Sequence, residues 1–213
     1  MSVDPRVYLV TDPAVDDLEA IVDAGVRGGV TCVQVRDKHG SSASRAGLVA
    51  ALRGALPSSV AVVVNDDLEV ASSCDGLHVG VDDVAPSVAR AELGPEAVIG
   101  WSINDLAQLG DEAEMRACSY VAVSPVWATP TKTDTTAPFG LDGVREVAAR
   151  LAGRVPLVAI GGIDASNAAD VVLAGADGVA VVSAICGADD PRASAGQLRA
   201  VVDAALETRG ARR

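Results

Sequence analysis

The sequence predicts an α/β fold, a single (β/α)8 TIM barrel with a parallel eight-stranded core, and three observations carry that prediction. Eight short apolar runs recur along the chain. Segments of helical periodicity separate them. Of 213 residues 49% are hydrophobic but only 2% aromatic, so the core must be Ala, Val, Leu and Ile stacked in regular layers, as repeated strand and helix units provide.

In order, the runs are Val7 to Val10, Thr31 to Val35, Ala61 to Val64, Leu77 to Val79, Ala97 to Gly100, Tyr120 to Val123, Leu157 to Ile160 and Gly178 to Val182. They read as continuous β-branched stretches, which marks strands covered on both faces and hence a parallel sheet. Between them Leu18, Ile21, Val22 and Val26 share one helix face, as do Val144, Val147, Ala148 and Leu151, and then Leu198, Val201, Val202, Ala205 and Leu206. Eight units could also form an open doubly wound sheet, but their number and the chain length favour closure into a barrel. Only Leu68 to Ser73 is available as a helix after the third run, which makes one irregular unit. No Pro/Ser-rich linker divides the chain and no internal repeat stands out. Residues 1–213 therefore read as one catalytic domain, with Arg209 to Arg213 a frayed, disordered tail.

A net charge of -12 and a pI near 4.5 argue against nucleic acid or an anionic membrane as partner, because both need positive faces. Any phosphate site must be local. The four cysteines, Cys32, Cys74, Cys118 and Cys186, are far apart, with no CxxC pair, and read as reduced, buried thiols. The chain runs almost directly into VYLVT, and nowhere do 18 apolar residues follow one another. A soluble cytoplasmic protein is expected. A homo-oligomer is compatible with the sequence.

Reacting groups of such a barrel lie just beyond the carboxyl ends of its strands. Gln34, Arg36 and Lys38 follow the second run at period two, so they share a face, and two inward cations without a carboxylate in register would be costly unless an anion arrives. The competing reading is a structural ion pair through Asp37. Asn65, Asp66 and Asp67 end the third run, and Asp82 and Asp83 follow the fourth; carboxylates on adjacent loops could share Mg²⁺ bound also to phosphate oxygens, or simply cap a helix. His78 fits a hydrogen-bonded core residue as well as a catalytic one. Ser102 could face the mouth, while Asn104 suits a helix cap. Gly161 and Gly162 after the seventh run, with Ser183 after the eighth, occupy the recurring phosphate-binding place of this fold. The long polar insertion Ser124 to Gly143 carries Lys132, one of only two lysines beside 15 arginines. It reads either as a solvated loop or as a phosphate site.

Two anion-binding regions imply two phosphorylated substrates or one bisphosphate. There is no Ser/His/Asp arrangement, no Cys beside a His, no Walker loop and no GxGxxG. Charge stabilisation and positioning are left as the chemistry.

Taken together and in this order, YLVTD at Tyr8 to Asp12, GGVTCVQVRDK at Gly28 to Lys38, Asn65-Asp66, DGLHVGVDD at Asp75 to Asp83, Gly100-Trp101-Ser102, SPVWATPTK at Ser124 to Lys132, AIGGI at Ala159 to Ile163 and VAVVSAI at Val179 to Ile185 resemble the thiamine phosphate synthase family over nearly the whole chain. The resemblance implies an enzyme joining a hydroxymethylpyrimidine diphosphate to a thiazole phosphate with release of diphosphate. It assigns Gln34, Arg36, Lys38, Asn65, Ser102 and Lys132 to the pyrimidine diphosphate, with Arg36, Lys38 and Lys132 as catalytic cations. Asp66 and Asp83 would ligate Mg²⁺, and Thr129, Thr131, Gly162, Val182 and Ser183 would hold the thiazole phosphate. Val81, Asp67, Asn104 and Ser124 depart from that pattern, where Gln, Arg, His and Gly are common.

Three other readings compete. A related thiazole tautomerase would lack the metal carboxylates and use a His near Asn104, and a phosphate-sugar isomerase or epimerase would need acid/base residues in the mouth. A non-catalytic binder of thiamine precursors would not need the full set Arg36, Lys38, Asp66, Asp83 and Lys132.

Overall fold

The computed structural model describes residues 3–128 and 137–211. Eight parallel strands, β1 Val7–Val10, β2 Cys32–Val35, β3 Ala61–Asn65, β4 Gly76–Val79, β5 Val98–Ile103, β6 Tyr120–Val123, β7 Leu157–Ile160 and β8 Gly178–Val181, pair in chain order and close into a barrel through β8 and β1. Around them lie α1 Leu18–Gly28, α2 Ser42–Ala55, the single turn α3 Leu68–Ala71, α4 Pro86–Leu93, α5 Glu112–Ala117, α6 Gly140–Leu151, α7 Ala168–Ala174, the short α8 Ser183–Cys186 and α9 Pro191–Gly210. No described helix is long and apolar enough to cross a membrane.

Strand alternation sorts the residues into two cores. Val7, Leu9, Val33, Val35, Leu77, Ile99 and Val121 point outward and pack with Val22, Val49, Leu52, Val147 and Leu198 of the helices. Tyr8, Val10, Cys32, Ala61, Val63, Val98, Tyr120, Ala122, Val158 and Ala180 fill the interior. Small interior side chains leave space for the two tyrosines Tyr8 and Tyr120, which is how a chain so poor in aromatics fills its barrel. All four cysteines are free thiols, three of them buried and Cys74 half-buried.

At the amino end of the strands one arrangement occurs four times. Thr31 donates its backbone N–H to Val7 O (2.8 Å) and accepts Val7 N–H at its hydroxyl (3.1 Å). Asp75 does the same to Val62, Ser119 to Ile99 and Asp177 to Leu157. Each clasp joins an odd strand to the next even one. Three are held in turn by arginine, Asp75 by Arg53, Ser119 by Arg90 and Asp177 by Arg209.

Three expectations are corrected. The fifth strand does not stop at Gly100, because Ser102 and Ile103 continue the ladder against Ala122 and Val123. Asn104 is not the next cap: Asp105 accepts Ala107 N–H (2.7 Å), while Gln108 Oε1 accepts the N–H of Asn104 and Asp105. Nor is Arg209 part of a frayed tail, since α9 runs through Gly210 and Arg209 donates to Val172 O, Ala176 O and Asp177. The long helix α9 docks on α1 and α7, and α7 with the turn after it supplies the carbonyls that anchor Arg209.

Candidate active site

The mouth at the carboxyl end of the strands opens into a cavity of about 410 Å³. Ten of the expected site residues line it: Gln34, Arg36 and Lys38 from β2 and its loop, Asn65 and Asp66 from β3, Asp83 after β4, Ser102 on β5, Gly162 after β7, and Val182 with Ser183 after β8. Thr129, Thr131 and Lys132 lie outside the described residues. The ends of their insertion are described and meet: Phe139 N–H donates to Pro125 O and Gly140 N–H to Val126 O, both at 2.9 Å. Val126 and Trp127 also donate to Ile160 O and Gly161 O, so the base of the insertion is laced to the end of β7.

Local chain geometry explains why two adjacent aspartates have different tasks. Asp66 has a left-handed φ of 61°, a conformation that short polar Asp tolerates, and Asp67 N–H closes the turn onto Asn65 O (2.8 Å). The turn sends Asp66 into the mouth and Asp67 away from it. Asp67 caps α3 by accepting Val70 N–H (3.1 Å) and pairs with Arg45. Asp37 likewise serves the backbone, accepting His39 and Gly40 N–H in a tight turn. Among the described residues no ion pair joins it to Arg36 or Lys38.

Asp66 faces Asp83, whose own Oδ2 accepts Gly80 N–H at 2.6 Å. Loss of hydration in the mouth, then the hydrogen-bonded and charged Asp83, push the Asp66 carboxyl up to about 6, while Lys38 and the Asn65 amide oppose the shift. The sign of the consequence is definite. Between the ordinary 3.8 and about 6 the folded protein holds a proton that the unfolded chain has released, so the contribution of Asp66 to metal-free stability grows as pH falls through that window and is gone above it. Asp66→Asn is expected to flatten that part of a plot of melting midpoint against pH. An unchanged slope would contradict the arrangement.

Beneath the cations the cavity has a polar floor that sequence reasoning missed apart from Gln34, Ser102 and the open question over His78. Gln34 Nε2 donates to the Tyr8 hydroxyl (2.8 Å), which meets the Tyr120 hydroxyl (2.7 Å), which in turn meets His78 Nδ1 (2.8 Å); His78 Nε2 meets Ser102 Oγ (2.8 Å). With Gln34 donating, a run of hydrogens from Tyr8 to Tyr120 to Nδ1, with Nε2–H on Ser102, satisfies every contact of the chain. His78 is thus the hydrogen-bonded residue of the two readings. The signal was present in the period-two placement of Tyr8, His78, Gly100, Ser102 and Tyr120, all at inward positions. On the opposite wall Gly161 and Gly162, with φ of 110° and 69°, turn the chain where a Cβ on Gly161 would come within 2.7 Å of Pro125 Cβ.

The arrangement can bind anions through Arg36, Lys38 and backbone N–H groups, and a hard cation through Asp66 and Asp83. Among the described residues no group of three or more His, Cys, Asp or Glu side chains gathers to hold a metal. Two carboxylates suit Mg²⁺, which commonly takes its other positions from water and phosphate oxygens. The like-charge contact at Asp66 is also what a cation relieves.

Comparisons with known proteins agree with this architecture. A curated thiamine-phosphate synthase of Albidiferax ferrireducens is 47% identical over 205 residues, 93% of this chain and 92% of that one. One from Chloroflexus aurantiacus is 42% identical over 211 residues, 96% of each. The solved structure of a thiamine phosphate pyrophosphorylase from Pyrococcus furiosus superposes with a TM-score of 0.84 at 30% identity, covering 95% of this chain and 98% of that one. The family model described as thiamine monophosphate synthase matches residues 7–185, from the first strand to the helix after the eighth, and the chain therefore belongs to that family.

Proposed function

We propose that this barrel is a thiamine-phosphate synthase, acting as one catalytic domain that transfers the pyrimidinylmethyl group of a hydroxymethylpyrimidine diphosphate to the nitrogen of a thiazole phosphate. The observation that carries the reading is the facing pair Asp66 and Asp83 beside Arg36 and Lys38 in one mouth, together with relatives of that name over nearly the full chain. Asp66 and Asp83 would hold Mg²⁺. When bound, the ion supplies positive charge to the departing diphosphate.

In this reading the bond between the exocyclic methylene carbon and the diphosphate oxygen breaks and its electron pair leaves with diphosphate. Arg36, Lys38 and Lys132 stabilise that charge as it develops. The electron-rich aminopyrimidine bears the complementary positive charge on its exocyclic carbon, and the thiazole nitrogen closes the new bond with its own lone pair. No proton need move to form that bond. The relay from Gln34 to Ser102 is accordingly an orienting floor, with Asn65, for the pyrimidine end. Thr129, Thr131, Gly162, Val182 and Ser183 hold the thiazole phosphate in line with it, and alignment of two bound reactants supplies much of the remaining rate.

The assay is direct. Purified protein, both precursors and Mg²⁺ are expected to yield thiamine phosphate and diphosphate in equal amounts. No product after Mg²⁺ addition, with both precursors shown to bind, would overturn the reading in favour of a binder.

A further inference from the structure

We propose that Arg45, which does not line the cavity, is a positioning residue that fixes the distance between the Lys38 cation and the Asp66 carboxylate by tying their two loops to one guanidinium. Its Nη1 donates to Asp37 O (2.9 Å) and Gly40 O (2.7 Å), the carbonyls that bracket Lys38. Its Nε donates to Asp67 Oδ2 (2.9 Å), and Nη2 approaches the same oxygen at 2.8 Å and Ser42 Oγ at 3.2 Å. The Arg45 and Asp67 side chains are only 17% and 8% exposed, so this is not a screened surface pair of little consequence.

Both attachments are stiff. On one side Lys38 sits in a turn closed by Asp37 Oδ1, which accepts His39 N–H (3.0 Å) and Gly40 N–H (2.8 Å). On the other, the second oxygen of Asp67 caps α3. Asp66 stands one residue before that cap in a left-handed conformation, so a shift of Asp67 is passed directly to it. Arg45 is not among the residues lining the mouth and borders a cleft of about 200 Å³ with Leu18, Leu48 and Arg36, the last of which lines both. It therefore touches no substrate and acts through Lys38 and Asp66. A lysine keeps the charge but has no planar fork with which to meet two carbonyls and a carboxylate together.

The idea rests on the diphosphate reading of the site and makes a selective claim within it. Among the described residues Arg45 contacts none of those assigned to the thiazole phosphate, Gly162, Val182 and Ser183, so only the diphosphate and metal side should suffer. The variants are Arg45→Gln, Arg45→Lys and Asp67→Asn, the last of which keeps the helix cap while removing the charge Arg45 pairs with. Steady-state rates with each substrate varied separately are combined with calorimetric titration of Mg²⁺ and inorganic diphosphate without turnover. Residues that orient a metal site from behind it typically change affinity or activity 10- to 100-fold, so KM for the pyrimidine diphosphate and the half-saturating Mg²⁺ concentration are expected to rise about tenfold, with weaker diphosphate binding and KM for the thiazole phosphate within about twofold. Arg45→Lys should recover only part of the loss.

A purely structural arginine gives another result: a smaller folded fraction lowers kcat but leaves both KM values and the diphosphate affinity of the folded molecules unchanged. That outcome, or an equal rise of both KM values, overturns the proposal. If Arg45→Gln fails to fold, Asp67→Asn decides by the same criteria. Should the wild-type protein bind Mg²⁺ and diphosphate without turning over, the synthase reading fails while calorimetry still decides the role of Arg45.

Discussion

Asp66→Ala and Asp83→Ala are each expected to lower turnover by on the order of a hundredfold or more, the usual scale when a group that stabilises developing charge is removed. Stability should move much less. Asp66 accepts no backbone hydrogen bond in the described structure, and its removal relieves the like-charge contact that raises its own proton affinity. Asp83 loses its bond from Gly80 N–H, a cost of about 1 kcal/mol, together with its like-charge contact with Asp66. Turnover measured beside thermal melts in excess Mg²⁺ separates the two effects. Either variant retaining full activity in EDTA would remove the metal from the mechanism.

Gly100→Ala is expected to disable the protein by a different route. An added Cβ would lie 2.1 Å from Tyr120 Cζ, 2.2 Å from its hydroxyl and 2.6 Å from His78 Nδ1. Tyr120 is fully buried and cannot swing away, because its hydroxyl joins Tyr8 to His78 at the floor of the site. Overpacking of this severity should cost about 3 kcal/mol or more and uncouple Ser102 from the relay at the same time. Chemical denaturation should show the loss. Tyr120→Phe provides the contrast, since it keeps the ring and removes only the link. A stable Gly100→Ala variant with wild-type activity would show that the floor can repack.

The contrast also shows what could be read from the sequence. Strand positions were legible to within about a residue, save the carboxyl end of β5, because both faces of each strand are apolar, which leaves little else for such runs to be. The cations after β2 and the carboxylates after β3 and β4 were legible because period two and the strand ends place them in the mouth. Which aspartate of the pair Asp66 and Asp67 enters the mouth was not legible from propensity alone, since the answer lies in one positive φ and in a partner, Arg45, 22 residues away. The floor was hidden for a similar reason. Tyr8, His78 and Tyr120 are distant in sequence, and only barrel closure brings their polar atoms together. Arg209 was misjudged because an Arg-rich end looks solvated until the carbonyls it serves are known.

The four clasps at the amino end of the strands make the barrel modular in pairs. Among the described residues no matching side-chain clasp spans β2 with β3, β4 with β5, β6 with β7 or β8 with β1. New chain termini placed at 56–60, 94–97 or 152–156 would therefore leave every clasp inside one continuous segment, on the face remote from the mouth. A cut between the members of a pair, such as between α3 and β4, would sever the segment that carries one. Circularly permuted forms of this barrel should follow that two-strand rhythm, although no repeat in the amino-acid sequence announces it.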